Sequence, residues 1–455
     1  MTIDSVNPYN GQLLKSYKPH THEQVSNIIL QTHQAWENWR DSSFANRTKY
    51  MNQAARILRE RKGELAKLMA LEMGKPIKGG VAEIEKCADV CEYYAKNAGD
   101  LLKEEHIKTD ASKSYVSFQP LGIVLAVMPW NFPFWQVFRF LAPALMAGNC
   151  GVLKHASNVF GCAIEIENII KEAGFPEHVF QTLLIGGADV DSVIENPLIK
   201  AVTLTGSTEA GRKVAKKAAS LIKKSVLELG GSDAYLILED ADIELAAETC
   251  VNSRLINSGQ SCIAAKRFIV VRAVEKQFTE LFRQKMGAKI MGDPFDEKTD
   301  IGPQARTDLR DQLHRQVLKS IKMGAVCILG AVIPEGNNAL YPPTILTHVK
   351  KGMPAYNEEL FGPVAAVITA KDEEDAITIA NDSEFGLGAA IFTKDTERGE
   401  KIAASRLQAG SCFVNSLVKS DPRLPFGGIK QSGYGRELGI YGIKEFVNIK
   451  TVYIK

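Results

Sequence analysis

From about residue 120 the chain alternates short apolar runs with longer amphipathic stretches, and this pattern limits its fold more than any other feature. Ten apolar runs fall at 122–127, 151–154, 179–185, 201–204, 225–229, 235–238, 268–271, 325–329, 364–369 and 389–393. Between them, 209–224, 242–256, 274–289 and 307–322 carry apolar residues at the spacing of one helix face. Strands that alternate with helices pair in parallel, and a parallel sheet must be covered on both faces. Ten strands are many for one sheet, so the expected fold is α/β with two such units. The first hundred residues read as helices, at 22–40, 47–73 and 80–103. Two segments, 114–119 and 446–454, alternate polar and apolar like half-exposed strands. They are either edge strands of the same molecule or contacts for a second copy.

Composition removes several function classes. Lys and Arg number 55 against 53 Asp and Glu, a net charge of +2, which gives no footing for a nucleic-acid or polybasic membrane partner. The longest apolar run, 121–128, ends at Pro129 and falls far short of a bilayer span. No basic segment followed by an apolar one opens the chain, so no signal peptide is expected. The eight cysteines are scattered without a CxxC pair, and the eight histidines form no HExxH spacing. A reduced, cytoplasmic protein without a metal site is therefore expected. At about 150 residues per domain, 455 residues suggest roughly three domains.

Several residues offer chemistry. Gly206-Ser207-Thr208-Glu209-Ala210-Gly211 resembles a phosphate loop, but Arg212 separates Gly211 from Lys213, which rules out a Walker A site. The strand before it still delivers Gly206 and Ser207 to a helix N-terminus, which is either a pyrophosphate site or an ordinary capped turn. Cys262 ends the polar stretch Asn257-Ser258-Gly259-Gln260-Ser261, and an accessible thiolate there would be a strong nucleophile. The alternative is an incidental free cysteine. Cys150, Cys250 and Cys327 lie in apolar company and read as core. Glu228 closes an apolar strand before Leu229-Gly230-Gly231. A carboxylate at that edge is either a general base with its pKa raised by burial or a solvated strand end. Asn131 stands between two prolines in Pro129-Trp130-Asn131-Phe132-Pro133, either as an oxyanion donor or as the cap of a turn.

Taken together these motifs resemble the aldehyde dehydrogenase superfamily. Pro129 to Pro133, Leu227-Glu228-Leu229-Gly230-Gly231, Gly259-Gln260-Ser261-Cys262, Glu359-Leu360-Phe361-Gly362-Pro363 and Pro425-Phe426-Gly427-Gly428-Ile429-Lys430 follow the family's order and intervals over essentially the whole chain. The resemblance implies a Rossmann-like cofactor domain from 1–104 and 121–228, a catalytic domain from 229–430, and an oligomerisation arm from 105–120 and 445–455. It implies a homodimer or homotetramer. It also implies that Cys262 attacks an aldehyde, Asn131 and the Cys262 amide hold the oxyanion, and Glu228 activates the water that releases the acid. Cofactor positions carried over are Trp130, Lys154, Ser157, Gly206, Ser207, Leu229, Glu359 and Phe361. NAD-preferring relatives often carry a Glu where Ser157 stands here, so NADP is expected as cofactor, with NAD as second choice.

Arg139 falls where semialdehyde-specific relatives place an arginine, and Ser420 is a second substrate candidate. The chain thus resembles the bacterial succinate-semialdehyde branch. One departure is Ile256, where many such enzymes carry a second arginine, with Arg254 displaced by two residues. Glutarate semialdehyde and aliphatic aldehydes stay open as substrates. A thioester-to-coenzyme A enzyme would not need the Glu228 base, and a non-catalytic protein would not need Cys262, Glu228 and Asn131 together. Glu437 matches a family acid assigned to proton relay.

Overall fold

A computed structural model describes residues 2–336 and 338–455. Two parallel-rich sheets form its frame, as the alternation of strand and helix requires. The first has six strands in the order Gly433–Tyr434, Lys224–Glu228, Ile199–Thr205, Ile123–Met128, Cys150–His155, Phe180–Thr182. Only Gly433–Tyr434 runs antiparallel, against Lys224–Glu228. The second has seven strands in the order Val326–Leu329, Thr344–Thr347, Val364–Ala370, Arg267–Val271, Ala234–Ile237, Gly388–Phe392, Ser411–Val414. Its antiparallel member is Val326–Leu329. Helices bury the apolar faces of both sheets. The helix Thr208–Ser220 begins where Ser207 caps the amide of Ala210, and Gly211 lets it close on Leu229.

The two alternating segments pair with each other. Val447–Ile454 lies antiparallel to Lys113–Pro120, with Glu105–His106 on the far edge. Ile449, Tyr453 and Ile454 remain exposed on this small sheet. Among the described residues no helix is long and apolar enough to cross a membrane.

The sequence reading differs from the structure in several places. Residues 3–17 form a two-stranded hairpin, Ile3–Val6 with Leu13–Tyr17, rather than the start of a helical region. The stretch 47–73 is two helices, Phe44–Glu60 and Lys62–Met73, broken at Arg61 where the backbone leaves helical geometry. The strands Thr344–Thr347, Ser411–Val414 and Gly433–Tyr434 were not foreseen, because runs so short carry little periodicity. Cys327 is only partly buried on an edge strand, whereas Cys150 and Cys250 are in the core.

One buried ion pair positions the site-bearing segment. Lys75 and Glu83 are both about fully buried and bonded to each other, and the Lys75 ammonium stacks 3.9 Å from the Phe132 ring centroid. The helix Trp135–Met146 lacks a side-chain cap of its own. Glu83 supplies one from a distant helix, accepting the amides of Phe134 and Trp135 at 2.9 Å each. The 129–134 segment is thereby held from behind. Glu83→Ala leaves Lys75 charged and unpaired in the interior, so the urea midpoint should fall by the equivalent of about 3–5 kcal/mol. A midpoint unchanged from wild type would show that the pair does not hold this segment.

Candidate active site

Chemistry in a parallel sheet collects where strand C-termini open a crevice. Here Ile123–Met128 delivers Pro129 to Phe134, Ile199–Thr205 delivers Gly206 and Ser207, and Lys224–Glu228 ends on its own carboxylate. Cys262 comes from the other sheet, in the loop before Arg267–Val271. That loop is bent by three successive left-handed residues, Asn257 (φ 52°), Ser258 (φ 57°) and Gly259 (φ 78°). A β-carbon at Gly259 would lie 2.2 Å from the Gly362 carbonyl carbon, so only glycine fits.

Reciprocal hydrogen bonds lock the loop against the first sheet. The Asn131 amide donates to the Gln260 carbonyl at 3.1 Å, and the Asn257 amide donates to the Asn131 carbonyl at 2.7 Å. Gly231 approaches the Cys262 carbonyl too closely for a side chain. Asn131 uses one amide proton on Gln260 and keeps a second for another acceptor.

Cys262 lines two cavities. One, of about 350 Å³, has Phe132, Trp135, Ile256 and Phe426 among its apolar walls. The other, of about 380 Å³, is lined by Trp130, Asn131, Gly206, Ser207, Leu229, Glu359 and Phe361. The thiol therefore sits where two ligands can meet. Burial pushes it up to about 12, against the opposing pull of Lys266 and Arg139. Lys266 is itself buried and donates to the carbonyls of Ser261 and Cys262 at 2.8 and 2.6 Å. It also lies 3.4 Å from Glu359.

The second cavity suits a dinucleotide. Gly206 and Ser207 present a helix N-terminus, where backbone amides and the helix dipole favour an anion. Trp130 and Phe361 meet edge to face at 5.7 Å. Gly230 has no side chain because Glu359 occupies that space, and Glu359 accepts the Gly231 amide at 2.9 Å. Lys154 and Ser157 lie outside this cavity, at the C-terminal end of Cys150–His155 and in the turn after it. Lys154 has no ion-pair partner among the described residues, and burial lowers its pKa. An unpaired, largely buried cation at this sheet edge is a ready phosphate or ribose contact.

Glu228 lines neither cavity. Its carboxyl is buried beside Gly427, without a hydrogen-bond partner, and burial together with Glu437 holds its pKa well above the carboxylate range. Arg139 and Arg436 pull in the opposite direction. Arg139 lines the first cavity but is ion-paired with Glu437, donates to Thr205 at 3.3 Å and stacks on Phe426. Arg254 lies buried behind the thiol loop, donating to the Gly259 carbonyl at 2.6 Å, and takes no part in either cavity. Ser420 lines the first cavity, 2.6 Å from the Lys86 ammonium.

Lys86 and Lys266 were not singled out from the sequence. Lys86 looks like one more charge on an amphipathic helix, Ile77–Leu101, and only the fold turns it toward the cavity. Lys266 follows Cys262 by four residues, which is a spacing without meaning until the loop is seen to fold back. Among the described residues no group of three or more His, Cys, Asp or Glu is placed to hold a metal.

Known proteins resemble this chain over its full length. The aldehyde dehydrogenase family model matches residues 1–452. A probable NADP(+) succinate-semialdehyde dehydrogenase of Synechocystis sp. is 49% identical over 454 residues, covering 100% of both chains. The NADP(+) succinate-semialdehyde dehydrogenase of Mycobacterium leprae is 45% identical, again over 100% of both. The crystal structure of a succinic semialdehyde dehydrogenase from Streptococcus pyogenes with NADP+ superposes with a TM-score of 0.97, at 36% identity, covering 99% of each chain.

The desolvation of this half-buried thiol has a direct consequence. With its pKa at about 12, the Cys262 thiolate fraction in the ligand-free protein grows tenfold per pH unit throughout the neutral range. Alkylation of the Cys262 peptide by iodoacetamide should therefore rise with a log-slope near one from about pH 7 to 9, with no levelling near the free-thiol value of about 8.5. A plateau below about pH 9 would show that the protein does not hold this thiol protonated.

Proposed function

The chain belongs to the aldehyde dehydrogenase family, and on that premise we propose that it oxidises succinate semialdehyde to succinate, with NADP as the preferred hydride acceptor and NAD as the second. The observation that carries this reading is the position of Cys262 where the two cavities meet. The names of its relatives from Synechocystis sp. and M. leprae support the substrate and cofactor.

The residues divide the work as follows. Cys262 attacks the aldehyde carbon from the thiolate, forming a thiohemiacetal. The free amide proton of Asn131 and the Cys262 backbone amide receive the developing oxyanion. A dinucleotide held in the second cavity would supply the acceptor for the hydride that the thiohemiacetal carbon gives up as the Cys262 thioester forms. Glu228 then takes a proton from the attacking water, and its raised pKa suits that task. Because the carboxyl lines neither cavity here, it must rotate out of its pocket beside Gly427 to act. Trp130, Gly206, Ser207, Leu229, Glu359 and Phe361 hold the nicotinamide and pyrophosphate half. Lys154 and Ser157 hold the adenosine ribose, where a 2′-phosphate meets a cation and a neutral hydroxyl.

On the same reading, the six-stranded unit binds cofactor and the seven-stranded unit carries the thiol. The sheet of Val447–Ile454 and Lys113–Pro120, with its exposed Ile449 and Tyr453, joins copies into a dimer or tetramer. The eight free cysteines fit a reducing cytoplasm.

Arg139 and Ser420 face an anionic substrate from the first cavity. Lys419 stands exposed on its lining, which favours approach of a carboxylate, whereas Lys78 there is paired with Asp300.

Two measurements test the reading. Glu228→Gln should give a burst of about one NADPH per subunit, followed by steady turnover lowered by roughly 10²–10⁴-fold, as loss of a general base requires. Wild-type steady turnover would remove Glu228 from the hydrolytic step. Ser157→Glu should cut kcat/KM for NADP by roughly 10–100-fold while NAD falls far less, because a carboxylate repels the 2′-phosphate. Equal losses for both cofactors would place Ser157 away from the ribose.

A further inference from the structure

Of the cations on the substrate cavity that are shielded from solvent, Lys75, Lys86 and Arg139, Lys86 is the one without a carboxylate partner among the described residues. It reaches in from the helix Ile77–Leu101 and lies 4.1 Å over the Trp135 ring. Among the described residues no carboxylate pairs with it. The acids nearest to it are already engaged, Glu83 with Lys75 and Asp421 with Arg423. Burial and the Arg139 guanidinium push Lys86 down to about 8, which records an uncompensated charge in a confined space. Arg139, by contrast, is ion-paired with Glu437 and carries its counter-charge with it.

The one polar partner of Lys86 is the Ser420 hydroxyl, at 2.6 Å. Lys86 donates and Ser420 accepts, so the serine keeps its own proton for another acceptor. The ammonium also keeps two protons. Two donors, one of them charged, therefore converge on a single point of the cavity wall. Cys262 lines the same cavity, and Phe132, Ile256 and Phe426 form apolar surface in it. An aldehyde group and a carboxylate joined by a short apolar chain match that arrangement.

We propose that Lys86, together with the Ser420 hydroxyl, anchors the distal carboxylate of the substrate, an assignment that rests on the semialdehyde reading given above. Arg139 contributes field from the cavity wall, and Lys86 makes the direct charge-assisted contact. Apolar Ile256 supplies no cation, and Lys86, hydrogen-bonded to Ser420, supplies one from the cavity wall. A monocarboxylate aldehyde is thereby distinguished from an aliphatic aldehyde of equal length, which leaves Lys86 desolvated and unpaired.

The test compares wild type, Lys86→Met and Lys86→Arg in kcat/KM for succinate semialdehyde and for butyraldehyde, with NADP. Lys86→Met should lose roughly 10- to 100-fold on the semialdehyde, carried mainly by KM, the range expected for a charge-assisted hydrogen bond. Butyraldehyde should change by less than about threefold, which also reports that the variant is folded. Lys86→Arg should recover most of the semialdehyde efficiency, since it restores a donor cation. Equal changes on both substrates, or none on either, would overturn the assignment and leave Lys86 as packing on Trp135. A semialdehyde preference that survives intact in Lys86→Met would overturn it too, while sparing the substrate reading. A wild type without that preference would instead overturn the substrate reading itself, and the anchor with it.

Discussion

Two hydrogen bonds between Asn131 and the thiol loop hold the site together. The Asn131 side chain reaches the Gln260 carbonyl, and the Asn257 side chain reaches the Asn131 carbonyl. They join a segment of the six-stranded unit to a loop of the seven-stranded one. Without them, three left-handed residues in a row would have no reason to stay so. The strain is borne because the loop is wedged on every side, by Gly362 against Gly259, by Gly231 against Cys262 and by Arg254 against the Gly259 carbonyl. The thiol's place between two cavities follows from this wedge.

Charges around the thiol are arranged by partner as much as by sign. Lys266 is buried but serves two carbonyls and Glu359, so it fixes backbone and draws on the thiol at once. Arg139 is held by Glu437, and Lys75 by Glu83. Such pairs are weak sources of stability, but each places a donor or a carboxylate where a loop requires one. Glu228 and Lys86 differ from these pairs, one a carboxyl without a hydrogen-bond partner and the other an ammonium without a counter-ion among the described residues. Groups left incompletely satisfied in a cavity-bearing region are where ligands and protons have most to offer.

Much of this was legible in the chain. The α/β class follows from the alternation of apolar runs and helical stretches, and eight or more of the strands lie within two residues of where that alternation puts them, as at Cys150–His155, Ile199–Thr205 and Arg267–Val271. The pairing of 114–119 with 446–454 fits their shared alternation, although nothing in either segment names the other as partner. The N-terminal hairpin and the strands Thr344–Thr347 and Ser411–Val414 were illegible, since a few residues cannot display a period. At the site, motif resemblance brought forward Asn131, Glu228 and Cys262. It could not tell that Glu228 is turned away from both cavities or that Arg139 is already paired with Glu437.

The sequence by itself determined what is local: which stretches form strands or helices, where glycine must stand, and which side chains carry reactive chemistry. It determined these because periodicity, backbone freedom and side-chain chemistry belong to neighbouring residues. Only the tertiary structure decided which charges are neutralised. Lys86 and Ser420 are separated by more than three hundred residues, and Arg139 and Glu437 by nearly as many, and their pairing is set by how the helices Ile77–Leu101 and Trp135–Met146 pack against the segments that carry Ser420 and Glu437. A lysine on an amphipathic helix is identical in sequence whether it faces water or a substrate. Desolvation and the reach of a partner make the difference, and both exist only once distant segments are packed together.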